Sequence, residues 1–345
     1  MKQTFLNLMN AAGGFAPFRV ANRDKALILT YHRFSQTGTA GTTSAQAFAE
    51  QLEYLTTYYR VVPLSQLVAY LATEKRLPSG LAAIAIDDGY RDAYDVAFPI
   101  LRRYGAPATL FVATDFVDGR GWLWTDILRF VAAGAKTNCL KATINNRELR
   151  VQLAGTASRL AAATQLNERL KLLPDDAKER AILEIAYSAG VDLPDAPPDE
   201  YAAIDWEQAR EMSAGGVEIG SHTLTHPILT RVPDDRLRAE LCDSRARIEQ
   251  MVARPADLFC YPNGDYDERV YRAAKAAGYR CAVTIEPGLN GPGSDLFKLR
   301  RVHTQDNLVR FIQNTSGFEQ VKNRILFARA KVDPGTERLM IAEQR

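Results

Sequence analysis

Apolar runs recur along this chain, each closed by a turn signal and separated from the next by residues spaced as on a helix. The runs are "ALILTYH" (26–32), "LAAIAIDD" (81–88), "ATLFVAT" (108–114), "GVEIGSH" (216–222), "DLFCYP" (257–262), "RCAVTIE" (280–286) and "FKLRRVH" (297–303). Several are apolar almost without a break, which is the pattern of parallel strands covered on both faces rather than of strands with one face in water. Between them, Ser44 opens a helix carrying Phe48, Leu52 and Leu55 on one face, and a second helical pattern over 91–104 stops at Gly105 with Pro107 beyond. Longer patterns run from Asp234 to Met251 and from Asp267 to Ala277, the latter halted by Gly278. Asp205 with Gln208 reads as a capping box for a helix that ends at Gly215-Gly216. Strands alternating with helices predict a parallel α/β fold, and about seven strands with polar residues at their C-terminal ends favour barrel-like closure over an open sheet.

The alternation breaks between residues 118 and 203. "LWTDILRFVAAGA" has helical spacing, and "LKATINNRELRVQL" alternates apolar and polar residues about Asn145-Asn146, a hairpin signal. A further helical stretch ends in the proline-rich acidic connector "DLPDAPPDE". The expected organisation is therefore an N-terminal segment (1–24), a barrel built from 25–117 and 204–310, an insertion or lid (118–203), and a C-terminal helical tail (311–345).

Composition narrows the picture. Of 345 residues, 46% are apolar and 24% charged, as in ordinary globular proteins, and a formal net charge of +2 gives no argument for nucleic acid as a partner. Four scattered cysteines without a C-x-x-C suggest neither a zinc knuckle nor a disulfide framework. No stretch approaches the roughly 18 apolar residues of a membrane span. The N-terminus lacks a signal-peptide pattern, so the cytoplasm or the cytoplasmic face of a membrane is the expected location. Phe5, Leu8, Met9 and Phe15, followed by Arg19 and Arg23, could give a weak peripheral membrane contact, a terminus packed on the domain being the competing reading.

The chemistry concentrates at strand ends. His222 and His226 in "SHTLTHP" stand four apart, and Pro227 biases the residue before it away from helical geometry, so the pair belongs to a loop in which one turn can aim both imidazoles at a single object. In "IAIDDGY", Asp87 and Asp88 close a strand. Adjacent side chains there point to opposite faces, but Gly89 permits a twist that brings both to one site. Two crowded carboxylates repel unless a cation or proton lies between them. One aspartate with two histidines is a ligand set that leaves a metal open to water and substrate, and the second carboxylate could act as a base. His32 and His303 also end strands.

"AIDDGY", "SHTLTHP" and "FCYPNG", in that order, resemble the first three motifs of the polysaccharide deacetylase (NodB homology) family of carbohydrate esterases, and "LTYHRF" (29–34) resembles an upstream element of one branch of it. The resemblance implies a distorted (β/α)7-type barrel and metal-dependent removal of N-acetyl groups from sugars of a polysaccharide or glycan precursor. Hydrolysis of another amide, such as a formamido sugar, and a non-catalytic glycan-binding relative are the competing readings. Carried onto this chain, it makes Asp87 the general base and Asp88, His222 and His226 the ligands of a divalent cation, zinc first, with cobalt or another divalent ion as alternatives. "FCYPNG" would supply oxyanion or substrate contacts through Tyr261, Pro262 and Asn263.

The departures matter as much. An arginine that orients the base in the family is replaced by Cys260, so that partner is missing or comes from elsewhere. The family's aspartate-tryptophan motif has no counterpart after residue 264, leaving Trp124, with Asp126, as a substitute from the insertion. For the proton donor to the leaving amine, the resemblance favours His32, with His303 the alternative.

Overall fold

The computed structural model describes residues 2–144 and 147–322. Seven parallel strands close into a barrel: β1 (Leu27–Tyr31), β2 (Leu81–Ile86), β3 (Ala108–Val112), β4 (Val217–Ser221), β5 (Leu258–Cys260), β6 (Cys281–Pro287) and β7 (Leu299–His303). Closure comes from β1, which pairs with β2 on one side (Leu27 opposite Ala82) and with β7 on the other (Leu29 opposite Val302). The ring is uneven. The start of β2 pairs with a short outer strand, Arg60–Val61, and only its end pairs with β3. Between β4 and β5 a single residue pair, Ser221 with Phe259, joins the wall. These weak joints are the distortion that the family resemblance implied.

Period-2 alternation sorts the strand residues. Ile28, Ala83, Ala85, Phe111, Cys260, Val283 and Leu299 form one buried cluster inside the ring. Their neighbours Leu29, Tyr31, Ile84, Leu110 and Val112 pack outward against the surrounding helices. The interior interleaves small residues (Ala83, Ala85, Cys260) with large ones such as Phe111 and Leu299. A Cβ on Gly220 would come within 2.6 Å of the Phe111 ring, so only glycine leaves room for that ring.

Helix α1 (Lys2–Ala11) lies on the outside, α2 (Ala45–Tyr58) carries Phe48, Leu52 and Leu55 into the outer core, and α3 (Leu64–Thr73) sends Leu64, Leu67, Val68 and Leu71 into the interior cluster. Ser44 caps α2 by accepting from the Ala47 N–H, and the Asp205–Gln208 capping box forms in both directions. The helical pattern over 91–104 forms with a difference. Its first part, Ala93–Ala97, is a π-turn in which the Phe98 N–H donates to Ala93, and an α-helix follows over Phe98–Tyr104. Pro99 has no N–H to continue the regular ladder, and a π-turn absorbs the missing bond.

The insertion carries α4 (Trp124–Gly134), an antiparallel hairpin of Cys139–Ile144 with Arg147–Gln152, α5 (Thr156–Leu170) and α6 (Asp175–Ala189). These elements share a core of their own, with Leu128, Leu140, Leu166 and Ile185 at its centre, and Ile228 of the barrel packs into it. Asn145 and Asn146, the expected turn, lie outside the described residues, as does the expected tail from residue 323 on. On the barrel side, the long helix α7 (Asp234–Val252) runs beside β4.

The apolar N-terminal residues divide. Phe15 is buried against Phe318, their ring centroids 5.9 Å apart, and Met9 packs on the core, while Phe5 and Leu8 stay exposed. Phe15 is thus a core residue and Met9 a partly buried one, because the chain folds back on the barrel at Gly13-Gly14. No helix of the described residues is long and apolar enough to cross a membrane.

Candidate active site

Four of the seven inward rows of the barrel end in a charged or imidazole side chain. Ala83 and Ala85 of β2 are followed by Asp87, and Leu299 of β7 is followed by Arg301. Likewise Gly220 of β4 leads to His222, and Ile28 and Thr30 of β1 lead to His32. Above the apolar filling, these rows put a polar layer at the C-terminal end of the strands, where parallel barrels assemble their sites.

Asp87 is buried, and the wholly buried Arg301 grips it: Nη1 donates to Oδ1 at 2.8 Å and to Oδ2 at 2.7 Å, while Nε donates to the Thr284 carbonyl at 2.6 Å. Burial pushes the Asp87 carboxyl up, but Arg301 and then His32 outweigh it, so the group is held below its ordinary value and stays ionised. His32 Nε2 lies 3.5 Å from Asp87 Oδ2, with about half of the His32 side chain open to the cleft. The orienting arginine absent from "FCYPNG" is therefore supplied by the last strand. Cys260, in its place, is buried and gives its carbonyl to His222.

Asp88 would face away from Asp87 on a regular strand. Its φ of +79°, followed by +89° at Gly89, turns it back to the same opening, and a Cβ on Gly89 would press within 3.1 Å of Val112. The histidine loop is equally bent, with φ of +73° at Thr223 and +58° at His226. A β-branched residue in that region is strained, and the strain is held by surrounding bonds. The Thr223 and Leu224 carbonyls accept from the Thr114 and Asp115 N–H groups, and the His226 N–H donates to Thr223 Oγ1. Buried Glu240 of α7 accepts from the Leu224 and Thr225 N–H groups at 2.9 and 3.0 Å and from the Thr225 hydroxyl at 2.6 Å. Arg236 then links Glu240 to Asp175 of the insertion.

These bends bring the expected ligand set together. Oδ1 of Asp88 is 3.5 Å from Nε2 of His222 and 3.5 Å from Nε2 of His226. A tetrahedral ion with donors at about 2.0–2.2 Å holds them roughly 3.3–3.6 Å apart, so the spacing fits. Nδ1 of His222 donates to the Cys260 carbonyl at 2.8 Å; burial opposes its charge, but Cys260 and the hydrogen bond with Asp88 push the ring well up, so a cation bound here would take the place of the Nε2 proton. Burial, then the neighbouring His222, pushes His226 down to about 3, keeping it a neutral imidazole. Burial also opposes the Asp88 charge, but its hydrogen bond with His222 and the nearby His226 hold it below the usual carboxylate range. A second grouping, Asp87 with His222 and Cys260, suits a cation poorly, since Arg301 engages Asp87 and burial pushes the thiol up.

The cleft above this layer holds about 390 Å³. Asn263, with φ of +53°, lines it, and its Nδ2 is buried without a hydrogen-bond partner among the described residues. Tyr261 has no donor to offer: its phenol donates to the Phe297 carbonyl and its N–H to Val283. Pro262 has no N–H at all. Of this motif, Tyr261 and Asn263 both line the cleft, and Asn263 is the one with an unpaired donor.

Trp124 is buried in the core of the insertion, with the Lys178 ammonium 4.9 Å from its ring centroid, and the next residue, Thr125, faces the cleft instead. Asp126 is also buried, accepting from Tyr90 and Arg129. His303 lies past the rim, its Nε2 donating to the Ile285 carbonyl at 3.3 Å, and it is not on the cleft wall. Arg301, Glu240 and the polar wall from α5 are the parts of the site that the sequence motifs did not single out.

The family model for polysaccharide deacetylase matches residues 74–194 and 196–282. The protein YxkH of Bacillus subtilis (strain 168) is 22% identical over 285 residues, covering 82% of this chain and 73% of that protein. Among solved structures, the deacetylase PplD of Streptococcus pyogenes, in complex with acetate, is 18% identical with a TM-score of 0.56, over 84% of this chain and 98% of that one. IcaB from Ammonifex degensii is 19% identical with a TM-score of 0.54, over 84% and 97% of the two chains. These two share the fold.

Proposed function

Since this chain belongs to the polysaccharide deacetylase family, we propose that its cleft hydrolyses the acetamido group of N-acetylated sugars in a glycan or glycan precursor, with a divalent cation held by Asp88, His222 and His226. The enzyme is a hydrolase acting on carbon–nitrogen bonds other than peptide bonds. The observation that carries the finer reading is the placement of Asp88 Oδ1 at 3.5 Å from both imidazole Nε2 atoms, beside an aspartate already clamped by an arginine.

An amide carbonyl is a poor electrophile, and its amine is a poor leaving group. When bound, the cation, zinc being the first candidate, would polarise the carbonyl and acidify the attacking water. Asp87 takes the water's proton: it is ionised, and Arg301 fixes the direction of its oxygens. The side-chain amide of Asn263 offers a donor to the oxygen that gains charge. His32, across from Asp87 and open to the cleft, gives a proton to the departing nitrogen.

The test is acetate release from N-acetylglucosamine oligomers by chelator-stripped protein, before and after addition of zinc or cobalt. The expected result is activity restored by the metal in the parent and absent from Asp87→Asn, which still binds it. Parent-level release by Asp87→Asn, or no dependence on metal, would refute the assignment.

A further inference from the structure

The insertion turns a polar face inward. On α5, Ala162, Ala163, Leu166 and Leu170 are buried in the core of the insertion, whereas Thr164, Asn167, Glu168 and Lys171 line the catalytic cleft. Their spacing of i, i+3, i+4 and i+7 makes them one stripe of the helix, continued through its C-cap. A stripe of this kind on a surface helix ordinarily faces bulk water. Here it forms the wall opposite the barrel layer, joined by Thr125 and Arg129 of α4.

Two features say what such a wall can hold. Each cation on it already has a carboxylate: Lys171 Nζ is 2.7 Å from Glu168, Arg129 Nη1 is 2.9 Å from Asp126, and Arg33 Nε, at the rim, is 2.6 Å from Asp92. The wall is therefore charge-compensated and offers little to a phosphate or carboxylate. Second, Asn167 Oδ1 is buried without a hydrogen-bond partner among the described residues. Buried amide atoms left unpaired are costly unless a ligand completes them. A sugar hydroxyl donates as well as accepts, so it satisfies this amide oxygen.

Resting on the deacetylase reading above, we propose that the stripe on α5 is a subsite for an uncharged sugar unit next to the N-acetylated one, with Asn167 the residue that determines specificity. The substrate is then a neutral oligosaccharide or chain end, rather than a sugar phosphate or a free N-acetyl sugar.

The experiment compares the zinc-loaded parent with Asn167→Ala on N-acetylglucosamine, its dimer to hexamer, N-acetylglucosamine 1-phosphate, and 4-nitrophenyl acetate, which has no sugar. The parent should prefer the dimer and longer oligomers to the monomer and its phosphate. Asn167→Ala should raise KM for the oligomers about tenfold, as loss of one well-placed hydrogen bond does, with kcat, zinc content and ester hydrolysis unchanged. An unchanged oligomer KM would overturn the subsite, as would an equal loss on the ester or a parent preference for the phosphate. Acetate release from no sugar, with ester hydrolysis intact, would overturn the deacetylase reading itself and the subsite with it. As a second variant, Thr164→Val on the same stripe should raise the oligomer KM in the same direction.

Discussion

Arg301 Nη1 lies 2.8 and 2.7 Å from the two carboxylate oxygens of Asp87, although 214 residues separate them in the chain. The pair is wholly buried, so the guanidinium is what lets Asp87 remain charged there. The linkage has a definite sign. Because the folded-state carboxyl is held below its unfolded value of about 3.9, the pair contributes fully to stability above that pH and loses its contribution as the pH falls through the folded value. Arg301→Gln removes the largest charge that opposes burial and leaves only the histidines against it. The acid limb of the kcat/KM profile should then move up by roughly one to three pH units, and the fold should lose roughly 3–5 kcal/mol. A pH-rate profile beside a thermal melt checks both. A melt that falls while the acid limb stays in place would show that Arg301 supports the fold without tuning the base.

The two remaining histidines separate by position. His32 faces Asp87 across 3.5 Å and lines the cleft, whereas His303 is bonded to a backbone carbonyl beyond the rim. General-acid catalysis contributes roughly 10²–10⁴-fold, so His32→Gln should lower kcat by a factor in that range with metal content intact. His303→Gln should cost no more than about threefold, within the roughly ±0.5 kcal/mol expected of exposed positions. Steady-state kinetics of the two variants at saturating metal decide the matter, and the reverse ranking would move the acid to the last strand.

Much of this arrangement was legible in the chain. The apolar runs marked the seven barrel strands because parallel strands hide both faces, and the residues at their ends were the ones with chemistry. Arg301 was legible in principle: counting by twos from Leu299 in "FKLRRVH" puts it inside the barrel, where a lone guanidinium must meet a carboxylate. His303, two residues further in the same count, ends the strand at the rim and bonds to the Ile285 carbonyl instead. The bend at Asp88 was anticipated from Gly89, but the positive φ of Thr223 was not, since nothing local favours it in a β-branched residue. Tyr261 shows the converse limit. The sequence put it in the strand-like run 257–262, and the resemblance gave it a substrate contact, yet which way its phenol turned depended on Phe297, far along the chain.

Glu240 offers the sharpest test of how that strained loop is kept. Its buried carboxylate accepts three bonds from residues 224 and 225, midway between the two histidines, and its α7 neighbour Arg236 ties it to the insertion. Left to itself, a loop with three such donors would relax toward water, and Nε2 of His226 would leave the position it shares with His222 and Asp88. Glu240→Gln keeps the shape but replaces one acceptor oxygen with an N–H2 group facing N–H donors. Outer hydrogen bonds of this kind are worth roughly 10–100-fold in metal affinity. The variant should therefore bind zinc more weakly by that factor in a chelator competition, and kcat should return to near the parent value once zinc is in excess. Unchanged zinc affinity would mean that the bonds from Thr114 and Asp115 hold the loop by themselves, and a kcat that excess zinc fails to restore would place Glu240 in the chemistry rather than behind it.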